Sequence, residues 1–124
     1  MAMMHSPGFL AAVNGAKTRI GEITISQYKQ LVASGQPFTL VDVREDTEWT
    51  AGRAQGAIHL GKGVIERDVE ATIPDKEERV VLYCGGGFRS ALAADSLQNM
   101  GYEHVESLAG GWKAWNDAGL PVER

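Results

Sequence analysis

The only cysteine of this 124-residue chain, Cys84, is followed by Gly85, Gly86 and Gly87, then by Phe88, Arg89 and Ser90. A thiolate is a strong nucleophile, and helix N-termini and nearby cations favour it over the thiol. Three adjacent glycines each cost about 0.5–1 kcal/mol relative to alanine in regular structure, so a chain that keeps them needs positive φ or close backbone approach. The loop leaves an apolar run, "RVVLYC", and enters a helical pattern near Arg89. Curled between them, its amides and the positive end of the helix dipole form a cup for negative charge with Cys84 at the lip. Cys84 is therefore expected to act as a thiolate in covalent catalysis, the cup holding an anionic atom attached to it. Arg89 either clamps that anion or ties the loop to a carboxylate. The rival reading, an inert buried cysteine, leaves the glycines and the arginine without a purpose.

Elements that alternate along the chain must position this loop. "TISQYKQLVASG" reads as a helix with a Ser/Thr start and a stop at Gly35; "PFTLVDVRE" is a β-branched apolar run ending at Asp42–Arg44. "DTEWTAGRAQGAIHL" offers a helical turn, a Gly-punctuated loop and a brief strand over 57–60, and "KGVIERDVEATIP" a short helix closed by Pro74. "RVVLYC" is a second buried-type strand, "FRSALAADSLQNMG" a helix, "HVESLA" a strand and "WKAWNDAG" a last helix. Strands buried on both faces and separated by helices imply an α/β fold with one parallel sheet and helices on both faces. Ligands in such sheets sit beyond the carboxyl ends of strands, where both "VDVRE" and "YCGGGFRS" fall.

Size and composition narrow the possibilities. A chain of 124 residues, 44% hydrophobic and 23% charged, has room for one ordinary globular core. A net charge of −4 without a basic cluster argues against a nucleic-acid partner, and no segment is long and apolar enough for a membrane span. One cysteine closes no internal disulfide, so a cytoplasmic setting is expected. Residues 1–19, with Pro7, Gly8, Asn14 and Gly15, are expected to be a flexible N-terminal extension, and 20–124 a single domain. His5, His59 and His104 share no ligand spacing, so neither metal nor cofactor is expected.

The segments "LVDVREDTEW", "GRAQGAIHL" and "YCGGGFRSALAADSLQNMGYEHVESLAGGWKAWNDAGLPV" resemble single-domain rhodaneses from about Ile23 to Val122. The resemblance implies a five-stranded parallel sheet flanked by helices and sulfurtransfer through a cysteine persulfide. By position, Cys84 resembles the persulfide-bearing nucleophile, and Gly85, Gly86, Gly87, Phe88, Arg89 and Ser90 the loop that cradles the outer sulfur. Asp42 and Arg44 match positions that support the loop. "GRAQGA" departs from the family's usual Gly-His-Ile, and Arg53 there either adds positive charge at the mouth or is a solvated side chain. Trp112, after Gly110 and Gly111, packs in the core or lines that mouth. The implied partners are a small anionic sulfur donor, thiosulfate or a persulfide, and an acceptor, cyanide, a small thiol or a protein thiol.

Two other functions compete. Cysteine phosphatases and arsenate reductases place five residues between cysteine and arginine, whereas four intervene here, a ring better sized for one sulfur atom than for a tetrahedral oxyanion. A sulfur-carrier or docking module in a protein-to-protein relay would keep the same loop without turning over small donors.

Overall fold

A computed structural model describes residues 5–124. In chain order the elements are α1 (Pro7–Lys17), β1 (Gly21–Ile23), α2 (Ile25–Ser34), β2 (Thr39–Asp42), α3 (Asp46–Ala51), β3 (Arg53–Ala54), β4 (Ile58–His59), α4 (Ile65–Thr72), β5 (Arg79–Tyr83), α5 (Phe88–Asn99), β6 (His104–Leu108), α6 (Gly111–Asp117) and β7 (Val122–Glu123). Five strands form a parallel sheet in the order β1-β6-β5-β2-β4, as the α/β reading requires. The central strand, β5, delivers Cys84 at its carboxyl end, level with the end of β2, where Asp42 pairs with Tyr83. Side chains alternate across the sheet, which splits the core in two. Val80, Leu82 and Cys84 pack with Ile65, Val69 and Leu97 from α4 and α5, whereas Val81 and Tyr83 pack with Tyr28, Leu31 and Trp115 from α2 and α6.

Local chemistry sets the helix ends. Thr24 caps α2 in a reciprocal box with Gln27, and Gly35 closes it at φ 74°. α5 starts on Gly87 at φ 97°, a left-handed conformation that glycine adopts without steric cost.

The N-terminal segment departs from the expected flexible extension. Residues 1–4 lie outside the described part, but 7–17 form a helix, with Pro7 at its first position, where the missing N–H is no loss. Phe9, Val13 and Ala16 share one helical face; Val13 and Ala16 are buried, and the helix packs against α5. Arg19, bidentate to Asp95 at 2.9 Å, and the Gln98 amide, donating to the Arg19 carbonyl, tie the following turn to α5. Pro7 and Gly15 are therefore parts of a docked helix, and the folded unit begins well before residue 20. Three further strands escaped the sequence pattern. β1 buries only Ile23, and the antiparallel pair β3–β7 joins Arg53 and Ala54 to Glu123 and Val122 across some seventy residues.

Candidate active site

Cys84 is buried with its Sγ turned into the loop, where the Gly87 amide donates to it at 3.1 Å. The Ser90 hydroxyl lies 3.5 Å from Sγ and 2.8 Å from the Ser107 hydroxyl, a short relay of O–H groups beside the sulfur. The amides of Gly85, Gly86, Phe88, Arg89 and Ser90 meet no acceptor among the described residues, so the loop and the first turn of α5 present a cluster of unpaired N–H groups next to the thiol. Such a cluster favours an anion. The three glycines differ in what they contribute: only Gly87 has positive φ, while Gly85 runs close to the Arg89 guanidinium and Gly86 stands in open space.

Arg89 takes the second of its two expected roles. Its guanidinium is tied to Glu48 of α3 through Nη1–Oε1 at 2.7 Å and Nη2–Oε2 at 3.2 Å. The hydrogen bond from Arg89 holds the Glu48 carboxyl below its ordinary pKa, and the same bond raises Arg89. Against this pair lies a cavity of about 470 Å³, with Cys84 at its buried end and His5, Phe9 and Phe88 forming an aromatic side.

A second carboxylate–guanidinium pair lies at the end of β2, beside the strand that carries Cys84. Asp42 and Arg44 are bidentate at 2.8–3.1 Å with both side chains out of solvent, and Arg44 also donates to the Gly52 carbonyl at 2.6 Å. The Tyr83 hydroxyl, next to Cys84 in sequence, donates to Asp42 at 2.5 Å and accepts from the Ala54 amide at 3.0 Å. Burial first, and then that bond to Asp42, push the Tyr83 phenol well above its ordinary value, so it stays a donor. The His59 ring bonds the Arg44 carbonyl at 2.8 Å and stacks on Trp49.

The start of α6 closes the far side. The amides of Trp112 and Lys113 donate to the carbonyls of Cys84 and Gly85 at 2.7 and 3.2 Å. A Cβ on Gly111, at φ 50°, would run into the Cys84 carbonyl oxygen, so this contact needs glycine. Trp112 thus meets the loop through its backbone, while its ring lies 4.5 Å from the Arg44 guanidinium. Neither Trp112 nor Arg53 lines the Cys84 cavity. Arg53 stacks over Trp49 at 4.7 Å and bonds the Trp49 carbonyl, facing Glu123 at 3.8 Å. Sequence reasoning did not assign Glu48, Ser107, His5 or Phe9 to the site, because each reaches it only through long-range packing, nor Tyr83, which adjoins Cys84 but bonds Asp42 forty-one positions away.

The family model described as Rhodanese-like domain matches residues 24–118. The chain belongs to the rhodanese-like family. Among relatives of this rhodanese-like chain, HIGH ARSENIC CONTENT 1, a mitochondrial protein of Arabidopsis thaliana, is 30% identical over 97% of this chain and 77% of that protein. Thiosulfate sulfurtransferase PspE of Escherichia coli is 37% identical over 56% of this chain and 67% of its own length. A solved structure from Rhodopseudomonas palustris, RPA3614, a protein of unknown function for which tyrosine phosphatase activity is raised, superposes with a TM-score of 0.86 at 31% identity over 99% of both chains. That span takes in α1, which precedes the matched domain.

Proposed function

We propose that this rhodanese-like chain is a sulfurtransferase working through a persulfide on Cys84. The Cys84 thiolate attacks the sulfane sulfur of thiosulfate; the S–S bond of the donor breaks, sulfite leaves with the bonding pair, and Cys84–S–S⁻ remains. Cyanide or a thiol then takes the outer sulfur and returns the Cys84 thiolate. No second cysteine exists in the chain to resolve the intermediate, so the acceptor is external, whether a small thiol, cyanide or another protein's thiol. The unpaired amides of the loop stabilise the terminal sulfur, and Ser90 donates to the sulfur nearer the chain.

The observation that carries this reading is the cup itself: one sulfur atom held by the Gly87 amide among unpaired N–H groups. Arg89 speaks against the phosphatase alternative. A phosphoryl or arsenate group is best held by a bidentate guanidinium at the loop, and Nη1 and Nη2 of Arg89 are both turned to Glu48. The relay alternative is separated by comparing turnover with thiosulfate and with a protein persulfide. A reducing, cytoplasmic setting suits a thiol that must return to its free form after each cycle.

The test is thiocyanate formation from thiosulfate and cyanide. Cys84→Ser is expected to abolish it with circular dichroism unchanged, and undiminished thiocyanate from that variant would remove the nucleophile assignment. Double-reciprocal plots at several cyanide concentrations should be parallel, as ping-pong transfer requires.

A further inference from the structure

The lining of the cavity beside Cys84 does not come from the matched rhodanese-like segment, 24–118, alone. His5, just ahead of α1, and Phe9, in its first turn, meet Phe88 of the cysteine loop. The His5 ring sits edge-on to Phe88 at 4.8 Å, Phe9 lies 5.2 Å from His5, and Phe9 and Phe88 are 6.3 Å apart. Val13, Ala16 and the Arg19–Asp95 pair hold this helix against α5, so the wall is fixed to the scaffold that carries Cys84. Meanwhile, among the described residues, the one permanent cation lining the cavity, Arg89, is paired with Glu48. Among the described residues that line the cavity, a dianion entering here meets amide dipoles and a guanidinium already held by Glu48, with the Lys17 ammonium set 5.2 Å over the Phe88 ring and 3.7 Å from Glu22, whereas a flat group meets three rings.

We infer that His5, just ahead of the N-terminal helix, and Phe9 within it, with Phe88, are specificity-determining residues that select sulfur donors carrying a flat apolar or aromatic group beside the sulfane sulfur over inorganic thiosulfate. This rests on the sulfur-transfer reading and adds the substrate class to it. The step keeps its balance: in a thiosulfonate, R–SO₂–S⁻, the Cys84 thiolate bonds to the terminal sulfur, the S–S bond breaks, and the sulfinate R–SO₂⁻ departs with the electron pair. Only R differs from thiosulfate, and R is the part that the rings would face.

The experiment compares thiosulfate, methanethiosulfonate and benzenethiosulfonate as donors to cyanide, taking kcat/KM for the donor, which in ping-pong transfer reports the loading half-reaction alone. Benzenethiosulfonate is expected to exceed methanethiosulfonate by about tenfold or more. Phe9→Ala and His5→Ala should each shrink that ratio severalfold, and Phe9→Leu should retain part of it. His5 is exposed and outside the helix, so its variant tests the wall without disturbing α1. A wild-type ratio near one, or a ratio unmoved in both alanine variants, would overturn the assignment while leaving sulfur transfer standing. Failure of all three donors to load Cys84 would overturn the sulfur-transfer reading and this one with it.

Discussion

Two arginine–carboxylate pairs flank the cysteine loop, alike in chemistry and opposite in setting. Asp42–Arg44 has side chains 0% and 3% exposed, four hydrogen bonds inside the pair, and further bonds to Gly52 and Tyr83. Glu48–Arg89 is 36% and 29% exposed and borders the cavity. A charge taken out of water must find every partner within the protein, so the first pair is committed to structure; the second is partly hydrated and can be altered without leaving a buried ion alone. The loop thus lies between a rigid pair beneath the strand ends and an adjustable one at the cavity.

Breaking the rigid pair should give the larger effect. Arg44→Ala leaves the Asp42 carboxylate buried with a reduced set of donors and is expected to cost about 3–5 kcal/mol in urea unfolding. Because Arg44 also bonds Gly52 and stacks with Trp112, whose amide bonds the Cys84 carbonyl, sulfur transfer should fall with stability. If Arg44→Ala were as stable as the wild type, the contrast between the pairs would be lost.

Altering the adjustable pair should change substrate response more than stability. Glu48→Gln is expected to cost about 0–1 kcal/mol, but it frees the Arg89 charge beside Cys84. Donor kcat/KM for thiosulfate should rise a few-fold and become more sensitive to ionic strength, read from thiocyanate assays at two salt concentrations. A fall with no salt dependence would show that Glu48 serves the loop geometry instead of balancing charge.

The smallest effect is the pH dependence of that same pair. The bond to Arg89 lowers the folded-state pKa of Glu48, so its stabilisation is present in full above the ordinary carboxylate value of 4.5 and is lost as pH falls through the depressed value. The stability gap between wild type and Glu48→Gln should therefore hold from neutral pH downward and close only in acid. A gap that widened in acid would contradict the sign.

The contrast between the pairs also marks how far the sequence could be read. Asp42 and Arg44 lie two residues apart at the end of an apolar strand, and the cysteine loop is contiguous, so strand, loop and helix signals placed them together. Arg89 finds Glu48 forty-one positions away, and nothing in local spacing chooses Glu48 over its acidic neighbours Glu45 and Asp46. Trp112 is a candidate for the mouth because its strand ends at the same sheet edge as the cysteine loop, and Arg53 because it departs from the family's usual residues there, yet cation–π contacts draw both elsewhere. The N-terminal helix was masked by Pro7, Gly8 and Gly15. The spacing of Phe9, Val13 and Ala16 carried its signal, and Pro7 was a start marker, not a break. β1, β3 and β7 are two or three residues long with no apolar run to mark them, unlike β4 in "GAIHL", and they emerged only from their partners.

The claim on which the rest depends is that Cys84 carries one extra sulfur between the two half-reactions. Intact-protein mass after thiosulfate treatment should rise by a single sulfur atom, return to its starting value on adding cyanide, and stay unchanged in Cys84→Ser. An unmodified wild-type mass, or an adduct that survives in Cys84→Ser, would contradict it.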